Sequence, residues 1–133
     1  MPESQPPMIL VVDDEQPILD ILRLVLESND FQVHAVLDGR EALAAIPTVK
    51  PDLVLLDLMM ADMDGWTVYR TMKEDETMRR IPVIVVTAIP EKTEEVMGRL
   101  AAKVDDYVVK PFHPKNLVAR INAALANAAN AEA

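Results

Sequence analysis

Cysteine is absent from the 133 residues, so neither a disulfide framework nor a thiolate metal site can form. That fits a reducing compartment, and a cytoplasmic location is expected. Glycine is almost as scarce. Gly39, Gly65 and Gly98 lie too far apart to make a G-x-G-x-x-G or Walker loop, which argues against a nucleotide cradled on glycine-rich backbone. Basic residues are outnumbered, 13 Lys and Arg against 22 Asp and Glu, for a formal net charge of −9. Direct contact with nucleic acid or an anionic membrane is therefore not expected. No apolar run approaches the roughly 20 residues needed to span a bilayer. Residues 1–7 are polar and proline-rich, with no Lys or Arg, and so lack the basic and apolar regions of a secretory leader.

What the chain does contain is apolar side chain, 50% of all residues, enough for one real core at this length. Met8-Ile9-Leu10-Val11-Val12 and Leu53-Val54-Leu55-Leu56 are short continuous apolar runs, the pattern of strands buried on both faces of a parallel sheet. Phe31, Val33 and Ala35 alternate as a half-covered strand would. Ile81 to Val86 and Asp106 to Val109 complete five strands. Between them come helical stretches: Pro17 to about Ser28, Glu41 to Ile46 ended by Pro47, Trp66 to about Lys73, Pro90-Glu91 to about Ala102, and Pro114 to about Leu125. Strict alternation of strand and helix predicts an α/β doubly wound fold with a parallel sheet. The expected organisation is a disordered tail over 1–7, one domain over 8–126, and a C-terminal tail or linker start over 127–133.

Open parallel sheets bind ligands beyond the carboxyl ends of their strands. Those ends carry Asp13-Asp14, Asp57, Thr87 and Lys110. Each has a plainer reading alone. Asp13-Asp14-Glu15 could simply favour the next helix N-terminus, Asp57 could cap a loop, Thr87 could be structural, and Lys110 could be a solvated charge. Their joint occurrence, each at the end of a different strand, favours one site. Clustered carboxylates repel unless a cation intervenes. An all-oxygen donor set without His or Cys favours Mg²⁺, with Mn²⁺ as the other choice. A carboxylate can also act as nucleophile and form an aspartyl-phosphate. Lys110 and Thr87 can then neutralise and hydrogen-bond phosphoryl oxygens.

Four segments resemble, in order, the receiver family of two-component signalling. They are Val11-Val12-Asp13-Asp14-Glu15, Leu56-Asp57 through Asp64-Gly65, Pro82 through Thr87-Ala88, and Asp105-Asp106-Tyr107-Val108-Val109-Lys110-Pro111-Phe112. The likeness runs from about Met8 to Leu125. It implies a flavodoxin-like sheet of order 2-1-3-4-5. It also implies Asp57 as phosphoacceptor, and Mg²⁺ held by Asp13, Asp14, Asp57 and the Met59 main-chain carbonyl. Lys110 would pair with the phosphoryl group and precede a cis bond to Pro111. Thr87 and Tyr107 would switch together. The implied donor is a sensor histidine kinase or a histidine phosphotransfer protein. The implied output is a downstream protein on the face of the last helix, the fifth strand and the helix after Pro90. Such a protein catalyses its own phosphorylation and dephosphorylation rather than turning over a substrate.

Two departures stand out. Ala61 replaces the usual Pro, and Lys103-Val104 replace the usual Gly-Ala, so the turn after the fourth helix must close differently or with strain. Met59 and Ile89 fall two residues past Asp57 and Thr87. Both are apolar and cannot orient a hydrolytic water, which predicts a long-lived phosphoryl group. Trp66 is expected to pack, and His34 and His113 to be ordinary surface or loop residues. The alternatives are an inactive receiver serving as a binding module, the excised receiver of a longer regulator, an aspartate-nucleophile phosphatase, or a flavodoxin-type FMN binder. Met59 stands where such a phosphatase needs its second Asp, and Asp13-Asp14-Glu15 would repel the phosphate of FMN.

Overall fold

The computed structural model describes residues 5–60, 64–89 and 94–132. Ten elements alternate along the chain: β1 (Met8–Val12), α1 (Gln16–Glu27), β2 (Gln32–Val36), α2 (Gly39–Val49), β3 (Leu53–Leu56), α3 (Gly65–Glu74), β4 (Val83–Thr87), α4 (Glu94–Lys103), β5 (Asp106–Val109) and α5 (Pro114–Glu132). The strands form one parallel sheet in the order β2-β1-β3-β4-β5. The expected α/β doubly wound architecture is therefore the observed one.

The apolar runs explain the layers. Side chains of a strand point alternately to opposite faces. Ile9, Val11, Leu53, Leu55, Ile84 and Val86 accordingly pack with Leu19, Leu22 and Leu26 of α1 and with Leu117 and Ile121 of α5. Leu10, Val12, Val54, Leu56, Val83 and Val85 pack on the other face with Ile46 of α2, Val68 and Met72 of α3, and Leu100 of α4. The three central strands are almost wholly buried, whereas β2 and β5 at the edges are half-covered.

Local chemistry sets the helix starts. Asp38 and Asp64 cap α2 and α3 by accepting from the N–H groups of Glu41 (2.8 Å) and Thr67 (2.9 Å). Pro17 occupies the first turn of α1, where no N–H is required.

Several boundaries differ from expectation. Pro47 does not end α2. The ring removes only its own N–H, and the last turn still closes through Lys50 N–H to the Ile46 carbonyl at 2.9 Å, with Lys50 in the left-handed region at φ 52°. Ladder pairing in β4 starts at Val83, two residues later than read, because Pro82 has no donor, although its carbonyl accepts from Val54 N–H at 3.0 Å. The last helix continues past Leu125 to Glu132, through Ala and Asn positions that carry no breaker. Within the expected N-terminal tail, Pro6 and Pro7 are tied down: their carbonyls accept from Gln32 Nε2 (2.7 Å) and Gln32 N–H (2.8 Å). The turn after α4 needs no left-handed residue, since the only positive-φ residues among those described are Asp30 and Lys50. Val104 N–H reaches the Leu100 carbonyl at 3.2 Å, and Val104 is buried. Ala61, and the helix opening expected at Pro90-Glu91, lie outside the described residues.

Candidate functional site

Register brings the site together. Val12 pairs with Leu56, so the residues that follow, Asp13 and Asp57, emerge side by side from adjacent strands. Asp57 N–H donates to the Val12 carbonyl at 3.0 Å. Thr87 pairs with Val109, and Lys110 follows with its N–H on the Thr87 carbonyl at 2.9 Å. Four strands thus deliver Asp13, Asp57, Thr87 and Lys110 to one rim, as the apolar runs imply. The Lys110–Pro111 bond is cis.

Asp13, Asp57 and Thr87 are the buried polar residues of the described chain, at 2%, 4% and 3% exposure. Lys110 Nζ lies 2.7 Å from Asp13 Oδ2 and 3.4 Å from Asp57 Oδ2, with Glu15 Oε2 at 3.9 Å. The ammonium is therefore seated mainly on Asp13. The other oxygen of each buried carboxylate accepts a backbone N–H two residues on, Glu15 to Asp13 Oδ1 and Met59 to Asp57 Oδ1, both at 3.0 Å. These turns fix the carboxylate planes. Burial pushes the Asp57 carboxyl above the ordinary range, against the Met59 N–H and Lys110, which lower it, while the Asp13 charge adds to the rise. Burial alone would lower the Lys110 ammonium, but its bond to Asp13 and the charges of Asp13 and Asp57 outweigh that and raise it. A half-buried cation with two acidic neighbours stays charged.

Asp13, Asp14 and Asp57 each offer a carboxylate oxygen, all within 4.8 Å of one another. Two of these acids are buried and Asp14 is exposed, so the cluster opens to solvent on one side. Three hard oxygens at that spacing suit Mg²⁺ or Mn²⁺. Thr87 Oγ1 is buried without a hydrogen-bond partner. An orphaned hydroxyl costs free energy, so it marks a place where another oxygen would be welcome.

Met59 is 62% exposed beside the acids, and Ile89 is half-buried. Tyr107 is half-buried on β5, packed against the cluster that holds Leu56, Val85 and Leu100. Trp66 packs against the same cluster and meets Tyr69 edge-on at 6.2 Å. His34 is exposed on the edge strand, and His113 accepts from Lys115 N–H in the loop before α5. Neither histidine is at the rim.

One residue that matters for the site escaped the reading of the sequence. Gly65 sits so close beneath the loop that follows β3 that a Cβ there would fall 2.2 Å from the Asp57 carbonyl oxygen and 2.5 Å from Leu58 Cα. Its N–H donates to the Leu58 carbonyl at 2.9 Å. The available signal was the Asp64-Gly65 pair, which reads equally well as an ordinary turn.

A family model described as the response regulator receiver domain matches residues 9–122. The DNA-binding response regulator MtrA of Mycolicibacterium smegmatis is 43% identical over 117 residues, covering 88% of this chain and 50% of that protein. The alkaline phosphatase synthesis transcriptional regulatory protein PhoP of Bacillus subtilis is 40% identical over the same share of this chain and 48% of its own. The chain spans about half the length of the curated relatives it matches. Among solved structures, a putative response regulator from Chloroflexus aurantiacus superposes with a TM-score of 0.81 at 30% identity, covering 91% of this chain and 98% of that one. A CheY-like receiver domain protein from Methanospirillum hungatei gives 0.81 at 28% identity, covering 94% and 98%. No helix among the described residues is long and apolar enough to cross a membrane. With five parallel strands ending on this acidic rim and a family match over most of its length, the chain belongs to the response regulator receiver domains of two-component signalling.

Proposed function

We propose that the domain is an active phosphorylation switch in which Asp57 takes a phosphoryl group from a phosphohistidine, supplied by a sensor histidine kinase or a histidine phosphotransfer protein. The observation that carries this reading is the set of three carboxylates within 4.8 Å, with Lys110 Nζ bridging two of them and Thr87 Oγ1 unpartnered nearby. An inactive binding module has no need to keep two buried carboxylates side by side.

Asp13, Asp14, Asp57 and the Met59 main-chain carbonyl are the groups that would hold Mg²⁺, or Mn²⁺ in its place. When bound, the ion offsets the repulsion among the acids and the negative charge of the incoming phosphoryl oxygens. An Asp57 carboxylate oxygen attacks phosphorus as the P–N bond breaks, and the imidazole leaves with the bonding pair. The Met59 N–H holds the other Asp57 oxygen, so one oxygen is presented for attack. Lys110, seated on Asp13 and within 3.4 Å of Asp57, supplies the positive charge for a phosphoryl oxygen without crossing the site. Thr87 gains through the new oxygen the partner its hydroxyl lacks. Its movement biases a pre-existing equilibrium in which Tyr107 turns inward.

The responding surface is the face of α4, β5 and α5, where a downstream protein docks. MtrA is named for DNA binding, and its length is about twice the matched region. The charge of −9 here speaks against nucleic-acid contact by this domain itself. The domain runs from residue 8 to 126, with the α5 extension leading out of it, and works in the cytoplasm.

Incubation with acetyl phosphate and Mg²⁺, followed by intact-mass measurement, tests the reading. Wild type gains one phosphoryl mass. Asp57→Asn, or wild type in EDTA, gains none. A phosphoryl adduct on Asp57→Asn, or none on wild type, overturns it.

A further inference from the structure

Behind the acceptor loop, between α3 and α4, lies a cavity of about 310 Å³. That is the lower end of the range for small-molecule sites. Its walls are mainly apolar, from Leu58, Trp66, Ile89 and Leu100. Its α4 side carries two cations, Arg99 and Lys103.

The two cations differ. Arg99 pairs with Glu95 on an exposed surface. Lys103 is in none of the ion pairs among the described residues, and its Nζ lies 5.7 Å from the centroid of the Trp66 ring. A cation resting on an indole face beside an apolar recess offers a flat surface and a positive charge to the same ligand.

We infer that this cavity binds a small aromatic anion, its ring against Trp66 and Leu100 and its acid group on Lys103 with help from Arg99. The size admits one or two fused rings. A purely apolar occupant would leave the charge of the exposed Lys103 unused, and a cation would be repelled. The site also shares its wall with the phosphoacceptor machinery. Leu58 and Met59 directly follow Asp57, and Thr87, Ala88 and Ile89 run on from the end of β4, where the proposed switch threonine stands. Resting on the switch proposed above, occupancy and phosphorylation are therefore coupled. The ligand fills the resting shape of the cavity, and the move of Thr87 toward Asp57 reshapes it. Linkage then requires phosphorylation to weaken the ligand by the same factor as the ligand opposes phosphorylation.

Trp66 is the only tryptophan and reports the site directly. The full chain, unphosphorylated, is titrated with 2-naphthoate and in parallel with neutral 2-naphthamide, by Trp66 fluorescence and by calorimetry. Saturable one-site binding of naphthoate is expected. Lys103→Met keeps the stem over Trp66 and removes the charge, and should weaken naphthoate by about tenfold, or roughly 1.4 kcal/mol. Arg99→Gln should weaken it less. No saturable binding, equal affinity of the neutral amide, or an unchanged Lys103→Met affinity would overturn the site; the second result would mark an apolar dent only. Repeating the titration on protein phosphorylated with acetyl phosphate should show at least about fivefold weaker binding. Equal affinity at full phosphorylation refutes the coupling. Failure to phosphorylate at all refutes the switch reading, and the binding arm stands on its own.

Discussion

Replacing Gly65 with alanine should disable Asp57 without touching any group that carries the chemistry. The new methyl would be built 2.2 Å from the Asp57 carbonyl oxygen, 2.5 Å from Leu58 Cα and 2.9 Å from the Asp57 carbonyl carbon. All three neighbours are backbone, so no flexible side chain can swing away. Relief requires the acceptor loop or the start of α3 to shift by more than an ångström. Overpacking of this kind costs about 1–3 kcal/mol of stability. The functional cost is larger, because a misplacement of about 1 Å at a reacting group can cost on the order of 100-fold in rate. The same shift would loosen the Met59 N–H from Asp57 Oδ1, now at 3.0 Å, and so release the carboxylate plane. Two measurements separate the effects. Urea unfolding should show a loss of about 1–3 kcal/mol with the protein still folded in buffer. The rate of Asp57 phosphorylation by acetyl phosphate at saturating Mg²⁺ should fall by about 100-fold. Phosphorylation within a few-fold of wild type would refute the claim that this contact fixes the acceptor.

Other outcomes follow from the same geometry. Burial raises the Asp57 carboxyl above its ordinary 3.8, so its ionised form works against folding at neutral pH, and stability from this group returns as pH falls through the raised value. In metal-free buffer at pH 7, Asp57→Asn should therefore melt above wild type. The gap should close on acidification, and a gap independent of pH would contradict the assignment. Mg²⁺ at ten times its dissociation constant should add about 1.4 kcal/mol to wild-type stability. Chelation or Asp14→Asn should abolish that gain in thermal melts. Met59→Asn or Ile89→Glu should speed loss of the phosphoryl group by about tenfold or more, by giving water a polar partner. An unchanged decay of the phosphorylated mass would remove these residues from any role in lifetime. Thr87→Ala deletes an unpartnered hydroxyl, so its urea midpoint should be unchanged or slightly raised. It should still be phosphorylated, yet show no Trp66 fluorescence response.

Much of this site was legible because continuous apolar runs mark central parallel strands, and the first polar residue after each run must sit at the sheet's carboxyl edge. Asp57 after Leu53–Leu56 and Thr87 at the end of β4 follow from that rule alone. Long-range pairing was less accessible. Nothing local says that Lys110 rests closer to Asp13 than to Asp57, since the two distances depend on how β1, β3 and β5 twist past one another. Pro47 misled because its cost depends on position: near the C-terminus of a helix a missing N–H removes a single bond. The reach of α5 was hidden by an Ala/Asn sequence that suits a helix or a linker. Gly65 and Lys103 share a different difficulty. One matters for what its missing side chain allows from a neighbouring loop, the other for an indole 37 positions away in sequence, and neither relation has a local signature.

Lys110 holds the Thr87 carbonyl with its own amide at 2.9 Å while its side chain reaches across to the acids. The main chain of the threonine is thereby moored to the same residue that senses the charge on Asp57. Sliding β4 along β5 would break that mooring, whereas rotation about the threonine Cα–Cβ bond leaves it intact. In the switch proposed above, the earliest displacement after phosphoryl arrival is accordingly expected to be a side-chain rotation on a stationary strand. Amide hydrogens along β4 and β5 should exchange with solvent equally slowly before and after the signal arrives.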